Sequence, residues 1–158
     1  MALVLKTSVG QPTVSSNLTS SAMKYLGIDY GQKRIGVAVS DESAVLAFPL
    51  GTVDAGDKAL GEVLDIAKEN GVTIAIIGES LDFKFKKNPI MKEIEKFAEA
   101  LQANQLAVVF EPEFMTSAQA ERQGKDKRGE SLEGAQHRDA SAAALILQSY
   151  LDRMRKGE

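Results

Sequence analysis

Leu26-Gly27-Ile28-Asp29-Tyr30-Gly31-Gln32-Lys33-Arg34-Ile35-Gly36-Val37-Ala38-Val39-Ser40-Asp41 is the stretch whose reading decides the fold. Two short apolar runs, 24–28 and 35–40, flank an acid, a glycine and two bases. Both runs are too short and too rich in β-branched residues for helices, so the pair reads as a hairpin. Gly31 lets the backbone turn tightly just past Asp29. A carboxylate is thereby expected at the end of a buried strand, beside turn amides and the cations Lys33 and Arg34. Such an Asp can hold a divalent cation that activates water against a phosphodiester. It can also sit beside the phosphates of a bound nucleotide, or simply close an ordinary β-turn.

The rest of the chain narrows these readings. Its 158 residues, 44% of them hydrophobic, suffice for one domain with a sizeable core. Cysteine is absent, which excludes a disulfide scaffold, a thiolate metal site and a thiol nucleophile. This fits a reducing compartment, and a cytoplasmic location is the expectation. With His137 as the sole histidine, any divalent site is built from carboxylates, which favours magnesium or manganese over zinc. The net charge of −3 means that nucleic-acid binding would use local basic patches and not the field of the whole protein. No apolar run approaches the roughly 20 residues of a membrane span.

Residues 1–22 are rich in Ser and Thr and lack acids, and they read as a disordered extension of a domain covering 23–156. The runner-up for this segment is an organellar transit peptide, which the missing Arg opposes. Beyond the hairpin, 45–52 reads as a third strand, marked by Pro49 as an edge or irregular one. Asp57 is a helix cap candidate before the spaced Leu60, Val63, Leu64 and Ala67, with Asn70-Gly71 as the stop. Residues 72–77 form a continuous apolar run expected to be buried on both faces. Residues 79–88 read as a polar loop in which Lys84, Lys86 and Lys87 interleave with Phe83 and Phe85, a pattern suited to single-stranded nucleic acid or to covering the core. Asn88-Pro89 opens a helix with Ile90, Ile94, Phe97 and Leu101 inward. A short strand follows at 106–110, then a short helix at 116–122. Residues 123–136 read as a polar, glycine-punctuated loop; Arg122, Lys125, Lys127 and Arg128 give this region a basic face. The final helix is expected at 139–154, with Asp139 at its start and His137 as a surface neighbour.

Three strands followed by helix, strand, helix, strand and helix predict an α/β fold. A mixed five-stranded sheet carries an antiparallel hairpin edge, a parallel remainder and helices on its faces. Ligands bind outside the carboxyl ends of the parallel strands in such sheets. Asp29, Glu79, Glu111 and Glu113 follow strands there, and Asp139 opens the last helix toward the same edge. Crowded carboxylates repel one another, and divalent cations relieve the repulsion. Each acid also has a plainer role, as a turn, cap or surface group.

Gly27-Ile28-Asp29-Tyr30-Gly31, the run 34–39, and Asp139-Ala140-Ser141-Ala142-Ala143 with 146–151 resemble the YqgF/RuvX family. The resemblance spans 23 to about 154. It implies an RNase H-like fold and a Holliday-junction-resolvase-like nuclease that matures the 5′ end of pre-16S rRNA. It further implies a metal site of Asp29, Glu113 and Asp139 holding one or two magnesium or manganese ions, with Glu79 as a candidate extra ligand. Lys33, Arg34 and the basic segments would contact the nucleic acid. The partners expected are rRNA precursor, ribosomal particles or branched DNA, with the chain a monomer or weak homodimer. Two departures lie near the site. Pro112 and Phe114 replace the Asp and Arg that flank the family's Glu, and Gly78-Glu79-Ser80 stands where the family has Gly-Leu-Pro. The lost Arg is a phosphate-binding type of residue. The rival readings are a DNA junction resolvase, a non-catalytic RNA- or ribosome-binding module, and a nucleotide-binding fragment of the actin/Hsp70-like type.

Overall fold

The computed structural model describes residues 23–81, 89–114 and 132–157, and the side chains of Leu81, Glu113, Phe114, Leu132 and Ala135 lie outside that description. The strands are β1 (Lys24–Tyr30), β2 (Arg34–Ser40), β3 (Ala47–Asp54), β4 (Val72–Leu81) and β5 (Ala107–Phe114). The helices are α1 (Ala59–Glu69), α2 (Met91–Ala103) and α3 (Leu132–Arg155). The strands form one sheet in the order β3-β2-β1-β4-β5. β1 is antiparallel to β2 and β2 to β3, whereas β4 runs parallel to both β1 and β5. The expected mixed sheet is therefore present.

Both prolines within strands lie in edge strands, Pro49 in β3 and Pro112 in β5. An edge strand can spare the ladder N–H that proline lacks.

The two faces of the sheet bury different material. Leu26 and Ile28 of β1, Ile35 and Val37 of β2, and Ala75 and Ile77 of β4 pack against α1 and α2 through Val63, Ile94, Phe97 and Leu101. On the other face Tyr25, Ala38 and Ile76 meet Ala143, Ile146, Leu147 and Leu151 of α3. Alternation along each strand sends neighbouring residues to opposite sides, so Ile76 and Ile77 are both fully buried.

Several boundaries differ from the sequence-based expectation. Asp29 lies inside β1, and Glu79, Glu111, Pro112 and Glu113 lie inside β4 and β5, because inter-strand pairing continues past the apolar runs. Asp57 does not cap α1: the cap position is Lys58, with no side-chain bond. α2 likewise starts at Met91 with Ile90 at the cap position. The largest correction concerns α3, which begins at Leu132, so residues 132–136 are helical and not loop. Asp139 is accordingly an interior helix residue and not its cap. The expected extension 1–22, the Lys84, Lys86 and Lys87 loop, the 116–122 helix, and Arg122, Lys125, Lys127 and Arg128 lie outside the described residues. Among the described residues no helix is long and apolar enough to cross a membrane.

Candidate nuclease site

The carboxyl ends of β1, β4 and β5 and the start of β2 lie at one edge of the sheet, and the N-terminal half of α3 reaches the β1–β2 corner of that edge. The hairpin brings the first acid there. Gly31 N–H donates to the Arg34 carbonyl at 3.0 Å, and a Cβ on Gly31 would come within 2.6 Å of that oxygen. Only glycine closes this turn without displacing the start of β2. Asp29, just before it, pairs with Gly36 across the hairpin.

Gly36 decides how closely α3 approaches. A Cβ there would lie 2.0 Å from the Asp139 carbonyl oxygen, and one on Gly27 would lie 2.7 Å from both the Ala143 carbonyl and Leu147 Cβ. The two glycines thus let the helix backbone rest directly on β1 and β2. Gly27 faces α3, so Asp29, two residues further along β1, projects to the same side. Asp29 and Asp139 therefore flank Gly36 on one face of the sheet.

α3 is held in this seat at its other end as well. The Ala47 N–H donates to Gln148 Oε1 at 2.9 Å, and Gln148 Nε2 donates to the Val45 carbonyl at 2.8 Å. Ser149 Oγ donates to Glu111 Oε2 at 3.0 Å, and Arg153 closes an ion pair with the other Glu111 oxygen. Glu111 is only 5% exposed. Although it follows an apolar run as the proposed ligands do, its carboxylate ties β5 to α3.

Arg34, a candidate contact for nucleic acid, donates through Nε to Asp139 Oδ2 at 2.8 Å, with both side chains largely covered. The pair holds the Asp139 carboxylate toward the β1–β2 corner and balances its charge. Lys33, in the turn, is exposed. Glu79 is register-opposite Pro112. Alternation from Ala75 and Ile77 puts it on the α1–α2 side, away from Asp29 and Asp139. Glu113 stands opposite Ser80, two residues beyond Glu111. Among the described residues no trio of acids or histidines converges; Asp29 and Asp139 are the acids brought to this corner.

On the opposite face Tyr30 packs its ring 5.3 Å from that of Phe97. Burial, aided by the Glu93 carboxylate, pushes the Tyr30 phenol above its ordinary range, so it stays neutral behind the site. His137 Nδ1 lies 3.3 Å from Ser141 Oγ, one helical turn along α3.

The donors available for a metal are all carboxylate oxygens, the set that suits a hard cation such as magnesium or manganese. The absence of a Cβ at Gly36 is what lets the second carboxylate come this close to the first strand. In type of donor the two carboxylates Asp29 and Asp139 fit such an ion, and among the described residues no third acid joins them.

Comparison with known proteins gives the family and the fold. The model of the RuvX family, described as Holliday junction resolvase, matches residues 23–153. A Chlamydia pneumoniae protein named as a proposed pre-16S rRNA nuclease is 36% identical over 143 residues, covering 87% of this chain and 95% of that protein. A Chloroflexus aurantiacus protein of the same name is 32% identical over 133 residues, covering 82% and 87%. Among solved structures, Fowlpox virus resolvase in complex with Holliday junction DNA superposes with a TM-score of 0.50 at 12% identity, over 84% of this chain and 99% of that one, a likeness of fold. The chain belongs to the RuvX family of Holliday-junction-resolvase-like nucleases, and its mixed sheet is the RNase H-like fold.

Proposed function

We propose that this chain is a divalent-metal-dependent endoribonuclease that trims the 5′ end of pre-16S rRNA during ribosome biogenesis. One observation carries the reading: Asp29 and Asp139 are held on the same face of the sheet edge, either side of Gly36, in a chain whose relatives bear the name of that activity. Asp29, Asp139 and Glu113 are the proposed metal and catalytic residues. One or two magnesium or manganese ions, when bound, supply Lewis acidity at the scissile phosphodiester.

The chain's own residues do the positioning. The closed hairpin turn fixes Asp29. The seat of α3 on Gly36 and the Arg34 guanidinium fix Asp139. Arg34 also offsets one of the negative charges that would otherwise repel a phosphate. Lys33 is exposed on the turn that follows Asp29, and it is proposed to meet the RNA backbone together with Lys84, Lys86, Lys87, Arg122, Lys125, Lys127 and Arg128.

Asp29→Asn removes one negative oxygen while keeping the shape. Cleavage of a pre-16S rRNA 5′ fragment in magnesium should fall at least about a hundredfold, with circular dichroism and melting unchanged. Full activity in that variant would sink the mechanism.

The family description and the resolvase-like fold favour a second reading, cleavage of branched DNA on the same chemistry. Parallel assays on a four-way DNA junction and on structured RNA separate the two. A non-catalytic RNA-binding module is the outcome if calorimetry finds no magnesium or manganese binding that depends on Asp29 and Asp139.

A further inference from the structure

A cavity of about 470 Å³ opens between the β3 edge and the N-terminal half of α3. It exists because β3 departs from regular pairing. The register jumps from Val37↔Gly51 to Ala38↔Pro49, leaving Leu50 without a β2 partner and 47% exposed. Pro49 and Leu50 form an apolar wall, and Thr52, Glu133, Gln136 and His137 supply polar groups. The volume lies within the usual range of small-ligand sites.

The cavity adjoins the catalytic corner. Thr52 pairs with Gly36, and Gly36 pairs with Asp29. The cavity wall is thus level with Asp29 at a distance of two strand spacings, about 10 Å. On α3, His137 and Asp139 are two residues apart and so occupy different sides of the helix, and His137 Nδ1 lies 3.3 Å from Ser141 Oγ. A carboxylate at the rim disfavours a phosphate but accepts hydrogen bonds from amino groups. An apolar wall with an imidazole suits a flat, neutral ring, since unpaired bases are bound by stacking and by hydrogen bonds to their edges.

We propose that this cavity receives an unpaired RNA base next to the scissile phosphodiester, and that Glu133 selects bases carrying an exocyclic amino group over uracil. His137 supplies the stacking surface, while Thr52 and Gln136 orient the base edge. The proposal rests on the nuclease reading for its placement beside the scissile bond.

The test uses full-length Asp29→Asn protein in magnesium, with fluorescein-labelled single strands of equal length: oligoadenylate, oligocytidylate, oligouridylate and an abasic strand. Anisotropy should show adenine and cytosine strands binding about tenfold more tightly than the uracil strand. Adding Glu133→Ala should erase that preference without changing uracil binding. Adding His137→Ala should weaken all three base-bearing strands about tenfold and leave the abasic strand unchanged. Both side chains are exposed, so circular dichroism should match the parent.

Cleavage of the same strands by protein that retains Asp29 is scored separately. Cleavage without base preference, or with a preference that survives Glu133→Ala, overturns the base site and leaves the nuclease reading standing. A preference lost in Glu133→Ala in protein that cleaves no RNA upholds the base site and overturns the nuclease reading.

Discussion

The two faces of the sheet use opposite packing strategies. The face toward α1 and α2 is thick, filled by Leu26, Ile28, Ile35, Ile77, Ile94 and Leu101. Large branched side chains there keep the helices at a distance and bury most of the apolar surface. The face toward α3 is thin where it matters. Gly27 and Gly36 bring the helix backbone onto the strands, and the space gained is spent on the polar group Asp29, Arg34 and Asp139. A thick face tolerates repacking around a lost methyl group. A thin face has no side chain to move, because the neighbour is backbone. Most of the apolar burial thus lies on one side of the sheet and the proposed chemistry on the other.

The sharpest way to break this contrast is Gly36→Ala. The added methyl would sit 2.0 Å from the Asp139 carbonyl oxygen, so α3 must lift. A loss of about 4 kcal/mol or more is expected, and cleavage should disappear even below the melting transition. Denaturant unfolding and an activity assay at low temperature check both parts.

Ile77→Ala tests the other face. It leaves a cavity in the thick core at a residue that is fully buried, and should cost about 3 kcal/mol. Activity per folded molecule should stay near that of the parent protein. A large loss of turnover in the still-folded protein would show that the two faces are not separable in this way.

The smallest change is Arg34→Gln. The ion pair with Asp139 is largely covered, and its loss should cost about 1 kcal/mol. The site gains net negative charge, so calorimetry should find magnesium or manganese bound more tightly while turnover falls, because Asp139 loses its orienting partner. Weaker metal binding in this variant would contradict the assigned role of Asp139.

Much of this was legible from the chain alone. The β-branched runs around Gly31 specify a hairpin, the run 72–77 specifies a doubly buried strand, and the spacing of Ile90, Ile94, Phe97 and Leu101 specifies an amphipathic helix. All three are local patterns with a period of their own. The sequence missed where α3 begins. Gly134 and the polar residues around it read as loop, but a single glycine costs a helix only about 1 kcal/mol, and contact of the segment with β3 outweighs it. Glu111 and Glu79 also looked equivalent to Glu113, since each follows an apolar run. Strand alternation separates Glu79 from Glu111: Glu111 reaches α3 and Arg153, while Glu79 alternates to the α1–α2 side.

By itself, then, the sequence determined the order of strands and helices in the sheet, and it singled out Asp29 and Asp139 as the residues to follow. Tertiary structure alone decided that Arg34 belongs to Asp139, a residue 105 positions away, and that the spacing between them is governed by the missing side chains of Gly27 and Gly36. Local periodicity carries information about which face a residue occupies. The distance between two backbones is a property of the packed layers, and it exists only once the helix has settled on the sheet.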